Sequence, residues 1–283
     1  MIPATFDYVR AESVDHAVSV LAEHGDEAKL IAGGHSLLPL MKLRLAAPEV
    51  LVDLGRVEAL RGVRETDDGR LAIGAMTRHQ DVIDDPLVQQ HCGVLAHVTA
   101  MVGDAQVRHR GTIGGALAHG DAAGDLPATA LALDATFVCQ GPGGQREVAA
   151  ADFFVDYLDT ALEDAEVLTE VRFPRLDGAW GWRYEKFVRV SQAWAIVGSV
   201  AIVRRDDGHV GEARVGLTNM ATVPVRARAV EQALAGAGTD AIRRAAESAA
   251  EGTSPSADLN ASPAYREHLA RVLTRRALEA AAS

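Results

Sequence analysis

Two glycine-bearing bends limit this chain more than any other feature of it. The first, Ala32-Gly33-Gly34-His35-Ser36-Leu37, leaves a short apolar strand read over Lys29 to Ala32 and enters a helix-like segment from Leu37 to Leu45. The second, Thr112-Ile113-Gly114-Gly115-Ala116, also runs into a segment of helical pattern. Paired glycines reach positive φ and let main chain approach another surface closely, because no Cβ stands in the way. Several N–H groups at such a bend can converge on one anion, and the Ser36 and Thr112 hydroxyls add donors suited to phosphate oxygens. One Gly-Gly alone reads as an ordinary tight turn. Two of them, each opening a helix, suit a diphosphate gripped from both sides.

Charge and motif content narrow the ligand. With 28 Lys and Arg against 39 Asp and Glu, the formal net charge is −11. This excludes a nucleic-acid partner, which needs clustered cations, and it leaves an anionic ligand to be held by local amides. No GxxxxGK[ST] or HExxH string occurs. The near-match to a dinucleotide fingerprint, Gly236 to Ala241, lies between two helical segments and reads as a connector. His91 and His97 do not share the i,i+4 face of a helical zinc site and read as a partly exposed pair. Cys92 and Cys139 read as core thiols. Two thiols cannot supply the four ligands of the usual iron–sulfur cluster, so any such cluster belongs to another chain. No apolar run is long enough to span a bilayer, and the start MIPATFDYVRAES lacks the pattern of a secretory signal. A cytoplasmic protein is expected.

Periodicity points to an α+β chain in two parts. Ser13 caps a helix through Val20 and Leu21 that Gly25 stops, and Val50 to Leu54 is a buried strand, so residues 1–55 form a βαβ-like unit. Strands are expected at Leu71 to Ala75, Ala135 to Gln140 and Val167 to Phe173, with a long helix over Leu87 to Met101. Thr77 and Gln80 have capping-box spacing. Asp125-Leu126-Pro127 opens another helix, where Asp125 is a candidate cap. A boundary near 177 separates this part, 1–177, from 178–283. There, strands at Arg183 to Arg189, Val197 to Arg204 and Val210 to Asn219 precede helices near 226–235, 239–250 and 263–281, and Asp207-Gly208 marks a hairpin turn.

The strings AGGHSLLPLMKLRLA (Ala32 to Ala46), VLVDL and RGTIGGALAHGDAAGDLPA (Arg110 to Ala128) closely resemble the FAD-binding subunits of molybdenum hydroxylases, the xanthine dehydrogenase family. Within it the chain looks most like medium subunits of the aerobic carbon monoxide dehydrogenase type, over nearly its whole length. The resemblance implies a two-part FAD-binding domain of the vanillyl-alcohol-oxidase/PCMH type, with 56–177 as its second part. It implies a C-terminal domain of small antiparallel sheet and helical bundle. The family's first diphosphate loop matches Ala32, Gly33, Gly34, His35, Ser36 and Leu37, and the second matches Thr112, Ile113, Gly114, Gly115 and Ala116. Asp125 matches an acid on the cofactor's sugar side, Val102 and Leu168 match apolar positions near adenine and flavin, and Lys186 matches a lysine near the isoalloxazine. Trp194 reads as a core tryptophan, with covering a ring face as its other role. Where relatives carry a polar residue and Pro, the run Gly120-Asp121-Ala122 implies a looser turn.

The implied enzyme has three parts: a large molybdenum-cofactor subunit, a small subunit with 2Fe–2S clusters, and this chain, assembled as a dimer of heterotrimers. Electrons would reach FAD here and leave to an acceptor such as a quinone, with no side chain acting as acid, base or nucleophile. Any membrane contact would come through the partners. Three other readings stand beside this one. The chain is a self-contained oxidase with flavin bonded to His35, a non-enzymatic scaffold for another dinucleotide, or the medium subunit of an N-heterocycle or purine dehydrogenase.

Overall fold

The first helix shows how local signals build this chain. Ser13 Oγ accepts from His16 N at 3.0 Å, Ala17, Val18, Val20 and Leu21 turn inward, and Gly25 at φ +52° ends the winding, giving α1 (Val14–His24). The computed structural model describes residues 2–283. Around α1, strands β1 (Asp7–Arg10), β2 (Ala28–Ile31) and β3 (Val50–Asp53) form a parallel sheet in the order β1-β3-β2. β3 is central, and its Val50, Leu51 and Val52 are all buried, as a parallel strand covered on both faces requires. The bend after β2 leads into α2 (Leu37–Leu43), which closes with Arg44 at φ +59°.

A second unit is built on an antiparallel sheet. Its strands β4 (Val63–Glu65), β5 (Leu71–Gly74), β6 (Thr136–Gly141), β7 (Gly144–Ala149) and β10 (Val167–Phe173) run in the order β4-β5-β10-β6-β7, with a small ribbon of β8 (Phe154–Asp156) and β9 (Asp159–Thr160) beside it. Helices α3 (His79–Asp84), α4 (Pro86–His91), α5 (Gly93–Ala100), α6 (Ala105–Arg110), α7 (Ile113–Ala118), α8 (Asp125–Ala132) and the single turn α9 (Ala150–Phe153) complete it. Several expectations fail here through contacts distant in sequence. The long helix expected over Leu87 to Met101 breaks at Cys92 (φ −149°, ψ 50°), where Gly93 makes room for the Trp182 ring, 2.5 Å from the place a Cβ would take. Thr77 makes no capping box; its hydroxyl bonds Gly62 N (2.9 Å) and Gly62 O (3.2 Å) instead. His91 is buried rather than partly exposed, its Nδ1 2.6 Å from Asp177 Oδ1, while His97 is half-buried. Cys92 and Cys139 are free and buried, as expected of core thiols.

The C-terminal sheet, β11 (Trp180–Phe187), β12 (Val197–Asp206), β13 (His209–Thr218) and β14 (Val225–Arg226), is antiparallel throughout. Asp207 (φ +48°) and Gly208 (φ +83°) make the expected tight hairpin, both with the positive φ that matches strand twist. Helices α10 (Arg228–Leu234), α11 (Ile242–Ala245) and α12 (Pro263–Ala281) gather over one face of the sheet. The segment expected as one helix over 239–250 winds instead as 3-10, α and 3-10 turns in succession, which its small side chains tolerate. The opposite face, with Tyr184, Val200 and Ile202, joins the main core of the second unit. Among the described residues no helix is long and apolar enough to cross a membrane.

The two layers meet backbone to backbone. A Cβ on Gly216 of β13 would collide with Ala128 O of α8. Gly216→Ala is therefore expected to cost roughly 1–3 kcal/mol by overpacking, seen as a lower urea midpoint with an unchanged slope.

Candidate functional site

The two bends touch. The space a Cβ would need on Gly33 lies 2.5 Å from Arg110 O and 2.7 Å from Gly111 Cα, and that on Gly115 lies 3.5 Å from Ala32 Cβ. Ala32 and Thr112 line one cavity of about 240 Å³. Separated in sequence by α2, β3 and most of the second unit's helices, the bends converge as expected.

Their donors are arranged unequally. Among the described residues no acceptor takes the amides of Gly33, Gly34, His35 or Ser36, while Leu38 N turns back to Gly34 O at 3.0 Å. Gly34 holds φ +76° to aim this row. In the second bend Ile113 N bonds Thr77 O (3.0 Å), Gly114 N bonds Ala75 O (2.9 Å) and Gly115 N bonds Thr112 Oγ1 (3.1 Å). A grip by amides of both bends is thus not what the geometry offers. The first bend presents open N–H groups; the second spends its own on fastening itself to the strand-end loop 75–77.

Asp125 and Lys186, expected on different parts of a ligand, are in direct contact. Lys186 Nζ donates to Asp125 Oδ2 at 2.8 Å and to Met101 O at 3.2 Å, and the Tyr184 hydroxyl donates to Asp125 Oδ1 at 2.6 Å. Both charged side chains are only 6% exposed. Burial raises the Asp125 carboxyl above its ordinary range, and Lys186 pulls it back. The Tyr184 hydroxyl is driven well up by burial and by Asp125. Asp125 is the first residue of α8, with Gly124 rather than Asp125 as the cap. Tyr184 was not singled out from sequence, although it stands two residues before Lys186 on one strand and so on the same face.

The remaining candidates occupy varied surroundings. Val102, half-buried just after α5, packs on the main core and its carbonyl accepts from Arg108 Nη1 at 3.0 Å. Leu168 is buried in β10 opposite Cys139, within that core. His35 is exposed on its bend. Trp194 is 60% exposed, so it is no core tryptophan; it lies in the irregular segment between β11 and β12. The turn at Gly120 (φ +65°) is not loose, because Asp121 Oδ1 accepts from Ala123 N at 2.8 Å and Asp121 O from Gly124 N at 2.9 Å. A further residue that sequence reasoning missed is His79, 3% exposed beneath Gly111, with no partner for Nδ1. Its only sequence signal is its spacing to the buried Val82.

A family model described as the FAD binding domain in molybdopterin dehydrogenase matches residues 4–176, and one for the CO dehydrogenase flavoprotein C-terminal domain matches residues 182–281. The chain belongs to this flavoprotein family. The carbon monoxide dehydrogenase medium chain of Hydrogenophaga pseudoflava is 42% identical over 283 residues, 99% of this chain and 98% of that one. The 6-hydroxypseudooxynicotine dehydrogenase complex subunit alpha of Paenarthrobacter nicotinovorans is 36% identical, covering 98% and 95%. A solved structure of carbon monoxide dehydrogenase from Hydrogenophaga pseudoflava, lacking the Mo-pyranopterin moiety of its cofactor, matches with a TM-score of 0.96 at 44% identity, covering 99% of this chain and 98% of that chain. The flavoprotein fold expected from the resemblance is thus the observed one, and the chain is an oxidoreductase subunit with an FAD-binding domain.

Two measurements probe this flavoprotein's buried charges. Lys186→Met strands the Asp125 carboxylate without a counter-charge and is expected to cost about 3–5 kcal/mol in urea unfolding, with partial recovery when Asp125→Asn is added. His79 is lowered from 6.5 to about 4, by burial first and then by His35 and Arg108. Between those values the unfolded state binds the proton and the folded state does not, so stability falls as pH drops through that window. His79→Gln is expected to flatten that part of the profile, read as urea midpoints at about pH 5 and about pH 7.

Proposed function

We propose that this chain holds FAD without a covalent bond and serves as the electron-relaying subunit of a molybdenum hydroxylase of the carbon monoxide dehydrogenase type. The observation that carries this reading is the row of open amides from Gly33 to Ser36, set against the second bend in a chain matched end to end by the family. Those amides, with the Ser36 and Thr112 hydroxyls, would hold the diphosphate. Leu37 and Ala32 frame the first bend, and Ile113, Gly114, Gly115 and Ala116 back it with main chain that no Cβ obstructs. Asp125 would accept from sugar hydroxyls, Val102 and Leu168 would offer apolar surface to the rings, and Lys186 would place a cation near the isoalloxazine. Bound FAD supplies the redox chemistry by which electrons from iron–sulfur clusters in a partner pass to an external acceptor such as a quinone. The chain's own residues bind, orient and set the local charge.

The partners in this reading are a large molybdenum-cofactor subunit and a small iron–sulfur subunit, assembled as a dimer of heterotrimers in the cytoplasm. Identity of 42% to a carbon monoxide dehydrogenase medium chain supports carbon monoxide as the partner's substrate. Identity of 36% to the 6-hydroxypseudooxynicotine dehydrogenase subunit supports a second reading, in which the large subunit oxidises an N-heterocyclic compound. Assaying the co-purified assembly with each substrate separates the two.

Reconstitution tests the cofactor. The chain incubated with FAD is expected to turn yellow, and acid precipitation should leave the colour in the supernatant; colour in the pellet would instead assign His35 to a covalent flavin. Gly33→Ala, which forces the bends apart, should lose the colour. Tyr184→Phe removes one donor from the Asp125 carboxylate, an interaction of about 1.5–3 kcal/mol. It is expected to weaken FAD binding about tenfold, measured by quenching of flavin fluorescence.

A further inference from the structure

Two buried polar atoms near the second bend have no hydrogen-bond partner, Nδ1 of His79 and Nε of Arg108. The His79 ring is buried against Gly111: its Cδ2 and Nε2 lie 2.8 Å and 3.0 Å from the place a Cβ would take there, and His79 N donates to Gly111 O at 2.9 Å. Gly111 Cα in turn lies 2.7 Å from the place a Cβ would take on Gly33. One glycine thus stands between the imidazole and the first of the open amides. Arg108 Nη1 donates only to main chain, to Val102 O at 3.0 Å and Gly103 O at 3.4 Å. Among the described residues the histidine in ion pairs is His91, not His79. Burial first, then His35 on the first bend and Arg108 on α6, hold His79 down to about 4. No carboxylate offsets them. Asp81 and Asp84 of its own helix are exposed, with Asp84 accepting from Gln80 at 2.9 Å. Asp85 caps α4 and Asp104 caps α6, while His97 of α5 answers to Arg183 and Glu185 instead.

We propose that His79 is a positioning residue that couples uptake of FAD to uptake of a proton: its imidazole, neutral in the chain without FAD, becomes charged when the diphosphate is held on the far side of Gly111. This rests on the reading that the amides of Gly33 to Ser36 hold that diphosphate. An anion beside a buried imidazole favours its charged form and offsets the cations already acting on it. Burial keeps the interaction from the screening that weakens exposed pairs. The proton comes from solvent, the imidazole becomes an imidazolium, and no bond to the cofactor forms or breaks. A group that gains a proton on binding tightens that binding as pH falls toward its value in the free chain, here about 4. The diphosphate itself stays ionised across this range, so amides acting alone give no such slope. His79 thereby serves the bends twice, as the ring that packs on Gly111 and as the charge that answers the ligand.

The experiment strips FAD from the co-purified assembly and from the full chain, then titrates it back by calorimetry in two buffers of different ionisation enthalpy. The difference in heat counts the protons taken up per FAD. Roughly half a proton or more is expected at about pH 5.5, falling toward none at about pH 8, with binding several-fold tighter at the lower pH. His79→Gln should remove this uptake and flatten the slope while FAD still binds, an effect that loss of packing alone does not produce. His79→Asn serves if the glutamine variant does not assemble. His35 is exposed on the first bend and can add protons of its own, so the titrations are repeated with His35→Gln, where the uptake is expected to persist. That count needs no change at position 79, and absence of uptake there overturns the proposal. An undiminished count in folded His79 variants also overturns it, and leaves the cofactor reading intact. If neither the assembly nor the chain takes up FAD, the cofactor reading fails and the proposal falls with it.

Discussion

Main chain pressed on main chain is the constraint from which the rest of this structure follows. Where Gly33 meets Arg110 and Gly111, the parallel-sheet unit and the second unit approach more closely than any side chain permits. Gly74 beside Leu60 O, Gly114 beside Ala75 and Gly216 beside Ala128 O repeat the device between neighbouring layers. Contacts of this kind place backbone groups with little freedom to adjust, since interiors are packed about as densely as organic crystals. A row of amides held that way is organised before any ligand arrives, so little ordering cost remains to be met on binding.

The buried group of Asp125, Tyr184 and Lys186 fixes the second junction. Its carboxylate belongs to a helix of the second unit, and its two donors belong to the first strand of the C-terminal sheet. Burying two charges gains little stability over an apolar pair of the same shape. What it imposes is alignment: Tyr184 Oη and Lys186 Nζ satisfy different oxygens of one carboxylate, so β11 cannot slide along α8 without breaking one of the bonds. Gly198 on the neighbouring strand leaves the room that the tyrosine hydroxyl occupies. The cluster thus couples the position of the C-terminal sheet to a residue of the flavoprotein's candidate cofactor site.

What was legible beforehand was what depends on neighbours in sequence. Ser13 as a cap, Gly25 as a stop, Val167 to Phe173 as a strand, Asp207-Gly208 as a turn and Pro263 to Ala281 as a helix each rest on a few adjacent residues. The convergence of the two bends was legible because glycine pairs have few uses, and the family strings made it specific. The failures have the opposite character. The helix broken at Cys92 resumes at Gly93 against a tryptophan from another sheet, Thr77 leaves its cap for Gly62, and the second bend gives amides to carbonyls of residues 75 and 77. Composition and periodicity carry no record of such partners. The pairing of Asp125 with Lys186 was hidden for the same reason.

The charge argument divides along the same line. A chain of net charge −11 cannot attract an anion by its overall field, and the reading that local amides must do so agrees with the open row from Gly33 to Ser36. Net charge is nonetheless a sum over the surface, and it conceals where the minority sign collects. Five arginines spread from position 10 to position 110 come to line one cavity because the ends of the parallel strands, which bring Arg10 and Arg56, meet the segments of the second unit that carry Arg61, Arg78 and Arg110. Those strand ends are also where the first bend leaves β2, so the local potential at the bends is set by the topology of the sheet. An acidic protein can in this way keep a cationic surface next to a set of neutral donors, each handling negative charge by different means. The amides do so through fixed dipoles that need no counter-charge, whereas the guanidiniums of Arg10, Arg56 and Arg110 are exposed and screened by solvent.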